Sequence, residues 1–448
     1  MTGYIGSTSF FSCNHMIGKR LDGFLSAGLT FLKGEGRCSV GKCIASVNDV
    51  FHSRDKRILV PIGKKREEFG YLHIENIRFH LIVVSCFVGI QYTKSPERTQ
   101  GAYDKFCELG DKQELTPERC FTGFDAYRNV IDSDANYILL ATPPGFRPQH
   151  FEYAVHAGKH VFFEKPCAVD PVGVRRVLTS AEQATAQGLA VVAGTLYRHS
   201  GCYRETVQRI HDGAIGEITA GQIYYNTGPL WSRPRQAEWS DAEYQLRNWY
   251  YMAWLSGDFN VEQHVHNLDV MHWVMGGPPV KCMALGGRQV RTAPEFGHIY
   301  DHIMTDYEYA NGVHIMSSCR QQANTTPNNS NHYIGTNGRS DPSRAIWGAN
   351  EWAYDNPQPF EGYVLEHANA LRSLLAGEPI NEAHQQAEST MIGIMARMSA
   401  YTGKEVTWDF VMNESELDLW PEEWRGTEPN FGDMAEAEVA MPGRTPLI

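Results

Sequence analysis

A chain of 448 residues exceeds what one hydrophobic core usually supports, so two domains are expected. With 42% hydrophobic, 21% charged and 11% aromatic residues it is too apolar to be disordered and too polar to be membrane-embedded; its longest apolar run, 81–90, is far short of the roughly 20 residues of a spanning helix. A net charge of -12 with no local Lys/Arg stripe argues against nucleic acid and for a small polar substrate, while ten scattered cysteines without a CxxC pair point to reduced thiols and a cytoplasmic setting. The N-terminus lacks the basic start and clean apolar centre of a secretory signal.

Residues 1–56 show no sustained period of 2 or 3.6 and form an unassigned appendage. Arg57 to Ile62 (RILVPI) and Phe79 to Ile90 then read as strands, with a possible helix start in GKKREEF between them, and Thr99 to Leu109 reads as a helix. Tyr137 to Ala141 (YILLA), broken at once by Thr142-Pro143-Pro144-Gly145, has the continuous apolarity of a central parallel strand buried on both faces. A helix from Pro148 to Ala157, a strand His160 to Phe163 ending at Glu164-Lys165-Pro166, a helix Pro171 to Gln187 and a strand Ala190 to Ala193 follow. This alternation predicts an α/β, Rossmann-like doubly wound parallel sheet over 57–195, whose strand ends are where ligands bind.

Beyond residue 195 the strands lengthen and alternate: Ile218 to Asn226, Val280 to Val290, Tyr300 to Tyr309 and Gly312 to Ser318, with Asn311-Gly312 as a hairpin signal. Helices are expected at Tyr203 to Asp212, Val261 to Val274, Tyr363 to Ala376 and Ala383 to Thr402, and the tail from Asn413 reads as an extended wrap. Residues 196–448 are thus an α+β substrate and oligomerisation domain with a large, mostly antiparallel sheet, one face covered and one open. The open face suggests a homo-oligomer, a dimer or tetramer.

Four ordered segments carry a resemblance: ATPPGFRPQH (Ala141 to His150), AGKHVFFEKP (Ala157 to Pro166), DGAIGEI (Asp212 to Ile218) and EQHVHNLDVMHWVMGG (Glu262 to Gly277). Together they resemble the glucose-fructose oxidoreductase and inositol dehydrogenase (Gfo/Idh/MocA) family over residues 100 to 445. The resemblance implies an NAD(P)-dependent dehydrogenase acting on a sugar or cyclitol hydroxyl. It places Thr142, Pro143, His150 and Glu164 against the cofactor, NAD or NADP, and Lys165 at the substrate hydroxyl, also beside the cofactor. A cationic ammonium there stabilises developing alkoxide character, and a strand end mounts it rigidly. The alternative is a solvated charge pair at a strand terminus.

Glu262 and His266 stand four apart on the expected helix and would project from one face. In the family this pair is Asp and His, so His266 is implied as the base and Glu262 as the acid that orients the substrate; the extra methylene of Glu262 departs from the pattern. An ordinary i,i+4 surface pair is the bland reading. His264, His266, Asp269 and His272 raise a metal hypothesis, but on a helix His264 and His266 lie about 200° apart, so no metal site is assigned. Arg198, with Tyr197 and His199, follows the last parallel strand, where it would meet substrate, cofactor phosphate or the other domain. Trp231, Arg233, Arg235, Trp239, Arg247 and Trp249 form an insertion suited to stacking on a sugar or covering a subunit interface.

The pattern breaks before residue 100. No GxGxxG turn follows the first strand: Gly34, Gly36 and Gly41 are wrongly spaced, and the turn after RILVPI is Gly63-Lys64-Lys65-Arg66. An altered reading frame or wrong start accounts for this better than divergence with Lys64, Lys65 and Arg66 replacing backbone amides, because the resemblance begins abruptly. Two rival functions follow: a non-catalytic sugar-binding or scaffold protein that has lost dinucleotide binding, and an NAD-retaining epimerase or lyase.

Overall fold

The computed structural model describes residues 116–448 throughout, the backbone of three earlier strands, and the helical residues Tyr103, Asp104 and Cys107. The glycine cluster at 34–41, the turn at 63–66, the GKKREEF helix start as far as Glu68 and the strand expected to residue 90, apart from Leu81–Ile82, lie outside the described residues. RILVPI does form a strand, β1 (Arg57–Pro61), but it pairs antiparallel with β2 (Phe69–His73) in a sheet of its own instead of opening the parallel one.

The parallel sheet runs β3 (Leu81–Ile82), β4 (Tyr137–Leu140), β5 (His160–Phe163) and β6 (Val191–Ala193), in that order. Strands β4, β5 and β6 are apolar and almost wholly buried because helices cover them. Among these are α1 (Ala126–Ile131), α2 (Arg147–His156) and α3 (Pro171–Ala186). The start of α3 is set by Pro171, whose missing N–H is no loss in the first turn, and by Asp170, whose carboxylate accepts the Gly173 N–H at 2.7 Å. The second half of the chain adds to this layer. Tyr137, Phe162 and Val192 pack against Ala370 of a later helix, and Val191 bridges Asn381 in parallel at the sheet edge.

After α4 (Gly201–His211) the chain builds a nine-stranded sheet. Its strands are β7 (Ile218–Thr227), β8 (Lys281–Gly287), β9 (His302–Glu308), β10 (His314–Gln321), β11 (Asn328–Gly335), β12 (Gly338–Asp341), β13 (Ala345–Gly348), β14 (Trp352–Ala353) and β15 (Val406–Thr407). Their order is β14-β13-β12-β11-β7-β10-β9-β8-β15, antiparallel except for β7 beside β10. The Asn311-Gly312 turn joins β9 to β10 with Gly312 at φ 78°, as a hairpin of this type requires.

One face of this sheet is covered by α6 (Val265–Met275) and α8 (Ala383–Thr402), with α5 (Asp241–Arg247) in the insertion before them and α7 (Gly362–Leu375) on the parallel sheet. The other face presents Met283, Leu285, Met304 and Ile334 to solvent. The helix expected over 261–274 is interrupted: Phe259–Glu262 is one short helix and α6 another, with Gln263 and His264 between them.

The tail behaves as a strap. Arg175 of α3 donates to the carbonyls of Val411 and Ser415, Asp170 accepts the Leu419 N–H at 2.8 Å, and Trp424 is buried among Phe124, Phe146, Trp254 and Trp420. These contacts tie the first sheet's helices to the second layer.

Candidate active site

Adjacent parallel strands end together, so their following residues share one edge of the sheet. Thr142 and Pro143 follow β4, and Glu164 and Lys165 follow β5; Glu164 N–H donates to Leu140 O at 2.9 Å, and the Lys165–Pro166 peptide is cis. Gly194 follows β6, and a side chain there would collide with the Glu164 carboxylate, 2.6 Å from an added Cβ. Gly145 is needed for a second close approach: a Cβ would sit 2.1 Å from the Trp254 carbonyl, where the turn after β4 meets the other half of the chain.

Arg147, at the start of α2, fixes the loop after β5. Its guanidinium donates to Glu164 O at 2.9 Å and Pro166 O at 2.5 Å, holding both carbonyls that flank Lys165. Sequence reasoning passed over Arg147, although an arginine in the first turn of a helix that follows a ligand-edge turn was its available signal. Thr142 and His150 are buried and share a 3.2 Å hydrogen bond. His150 stacks between Tyr127, at 4.1 Å, and Phe146, at 5.9 Å; burial, aided by Arg147, pushes its pKa down to about 3, so it is neutral.

The central contact joins the two halves. Lys165 Nζ lies 3.0 Å from Glu262 Oε1 and also donates to the Glu262 carbonyl, with both side chains about nine-tenths buried (9% exposed each). Glu262 Oε2 accepts from the Gln263 amide nitrogen, and the Gln263 amide oxygen accepts from the Tyr225 hydroxyl at 2.8 Å. Gln263 and His264 separate Phe259–Glu262 from α6, so Glu262 and His266 do not share one continuous helix. His266 lies in the first turn of α6, half-buried and edge-on to Tyr197 at 5.7 Å.

The structure commits the remaining candidates elsewhere. Arg198 grips Asp269 and His272, and His272 in turn meets Glu388 at 2.8 Å. His264 is buried against Ser317 at 2.7 Å, its pKa pushed down to about 3 by burial. In the insertion, Arg233 lies over Trp231, Arg247 over Trp239 and Arg235 over Tyr244, so these groups are stacked on one another.

Residues 106–192 match the family model described as the oxidoreductase family with an NAD-binding Rossmann fold, and residues 203–340 match the GFO/IDH/MocA C-terminal domain. The chain is 25% identical over 175 residues to the 2,7-anhydro-N-acetylneuraminate hydratase of Escherichia coli, covering 39% of this chain and 43% of that protein. It is 26% identical over 188 residues to inositol 2-dehydrogenase 3 of Saccharopolyspora erythraea, covering 42% and 48%. The matches therefore span under half the length of these curated relatives. Among solved structures, a levoglucosan dehydrogenase in complex with NADH and levoglucosan shares the fold at a TM-score of 0.54 and 17% identity, over 70% of this chain and 88% of that one.

Proposed function

Because the chain belongs to the Gfo/Idh/MocA oxidoreductase family, we propose that it transfers a hydride between the CH–OH carbon of a sugar or cyclitol and NAD or NADP. The observation that carries this reading is the buried Lys165–Glu262 contact, which puts an ammonium and a carboxylate from the two halves of the chain beside the ligand edge of the parallel sheet. Thr142, Pro143 and Glu164 at that edge suit the nicotinamide half of a dinucleotide, Gly194 leaves room for the Glu164 carboxylate, and the segment Gly63-Lys64-Lys65-Arg66, where a glycine-rich turn would be expected, lies outside the described residues.

A bound nicotinamide would supply the hydride acceptor or donor. The chain's own part is proton and charge management. Lys165 polarises the substrate hydroxyl and stabilises the oxyanion that forms as the proton leaves. His266, an imidazole half-buried in the first turn of α6, takes that proton. Glu262 holds the ammonium in place and orients the sugar. Titration of NADH and NADPH fluorescence tests the reading: saturable binding is expected, and no binding at millimolar cofactor would favour the scaffold role.

A second reading is redox-neutral chemistry with a retained cofactor, favoured by the similarity to an anhydrosialate hydratase. Dinucleotide that copurifies and resists dialysis would select it. The described cysteines, Cys107, Cys120, Cys167, Cys202, Cys282 and Cys319, are all free thiols, which supports a cytoplasmic protein, and among the described residues no helix is long and apolar enough to cross a membrane. The exposed Met283, Leu285, Met304 and Ile334 on the open sheet face support a homo-oligomer, dimer or tetramer.

A further inference from the structure

Glu262 carries three rotatable side-chain bonds, so a single contact to Lys165 leaves its carboxylate free to sample several orientations. The structure gives it a second tether through a local irregularity. In a continuous helix sequence neighbours project about 100° apart and do not face each other. Here the helix is widened at Gln263 and His264, where the His264 N–H reaches back five residues to Phe259 O, and the Gln263 amide turns back onto Glu262 Oε2 while Oε1 stays on Lys165. The orientation of that amide is itself fixed. Its oxygen accepts the Tyr225 hydroxyl at 2.8 Å, so its nitrogen faces the carboxylate. Tyr225 stands on β7, an inner strand held on both sides by β10 and β11, and burial keeps its phenol protonated as a donor.

We propose that Gln263 and Tyr225 are positioning residues that aim the Glu262 carboxylate at Lys165, so that the nine-stranded sheet, through one hydrogen-bonded chain, sets the direction of the reacting ammonium. The consequence for turnover rests on the dehydrogenase reading, whereas the chain of contacts does not.

The test uses the full-length protein labelled with 15N-lysine, the Lys165 ammonium resonance being identified by its loss in Lys165→Met. Gln263→Met keeps the length and deletes both hydrogen bonds; Tyr225→Phe removes one hydroxyl and guards against a folding failure in the first variant. The Lys165 ammonium of the native protein should be protected from exchange. Gln263→Met should shift and broaden it, Tyr225→Phe should move it the same way by less, and Tyr225→Phe added to Gln263→Met should do nothing further. With NAD and a panel of aldoses, anhydro sugars and inositols, Gln263→Met should lower kcat roughly 10- to 100-fold, the scale of a lost hydrogen bond to a charged group, with KM within about threefold. An unmoved Lys165 resonance in Gln263→Met, or losses that multiply in the double variant, would overturn the proposal. A resonance that moves as expected in a protein that reduces no NAD sustains the positioning chain and sinks the dehydrogenase reading instead.

Discussion

Arg198 Nε stands 2.9 Å from both carboxylate oxygens of Asp269, and the same guanidinium reaches His272 Nδ1 at 3.1 Å and lies over the Trp273 ring. The pair is well shielded, with side chains 14% and 2% exposed, and Asp269 also accepts from Ser389 at 2.8 Å. Removing one partner of a buried, hydrogen-bonded pair strands the other charge, at a cost of about 3 to 5 kcal/mol. Arg198→Ala should therefore lower unfolding stability by that order in urea titration, and Arg198→Ala with Asp269→Asn should cost little more than either alone. If Arg198 instead serves a cofactor phosphate, stability would hold and NADPH affinity would fall.

Lys165→Met conserves the length of the side chain and deletes the charge. Turnover should fall by at least about 100- to 1000-fold, the usual loss when one oxyanion-stabilising donor is removed. The circular dichroism spectrum should match that of the native protein. A variant that retains activity would remove Lys165 from the mechanism.

Acid should weaken the fold through its buried histidines. His150 and His264 are held down to about 3 and His298 to about 4, in each case chiefly by burial. His298 Nε2 accepts the Ala253 N–H at 3.1 Å, a bond only the neutral ring can make. These groups bind protons in the unfolded chain near pH 6.5 but not in the folded one, so their contribution is present above about 6.5 and declines as the pH falls towards 4. Urea midpoints measured from pH 7 to 4 should drop steadily, and His298→Gln should flatten that slope. An unchanged slope in the variant would contradict the assignment.

How much of this was legible depended on where the stabilising contacts run. The strands at 137–140, 160–163 and 191–193 are continuous apolar runs because both faces are buried, and that pattern is written locally. Strand β11 (NNSNHYIG) carries almost none of it. Its Asn331 is buried only because it exchanges hydrogen bonds with Asn267 of α6, a pairing 64 residues away that no local propensity reveals. The break between Glu262 and α6 was missed for the same reason: the periodicity of 261–274 is unbroken. Its neighbourhood is held by long-range contacts, with Asp258 at φ 77° accepting from Tyr300 N–H and Tyr401 hydroxyl. Lys165 and Glu262 could be picked out by their motifs, whereas Gln263 acquires its partner from Tyr225, 38 residues earlier.

The tail's hold on the body can be tested at one ring. Trp424 is 2% exposed and lies edge-on to Phe124 at 5.2 Å and Trp254 at 5.4 Å. Truncating a buried tryptophan costs about 3 to 5 kcal/mol when the site cannot collapse. Because the ring belongs to a strap, Trp424→Ala should show its loss first as faster proteolysis within residues 415–448, ahead of global unfolding. Cleavage at the native rate would mean that the tail is held elsewhere.

The open sheet face makes the strongest demand on a partner. Leu285 and Met304 are opposite each other on β8 and β9 and are 72% and 51% exposed, with Met283 and Ile334 on the same surface. Exposed apolar side chains on a sheet are the kind of surface that two-fold association buries, at about 800 Å² per partner in a stable dimer. Charges placed at its centre would have to be desolvated on assembly and would repel their symmetry mates. Leu285→Glu with Met304→Glu should therefore reduce the mass measured by light scattering to that of a monomer and leave the secondary structure intact, since both side chains face solvent in the single chain. If the native protein already runs as a monomer at micromolar concentration, the face serves another occupant and the homo-oligomer reading fails.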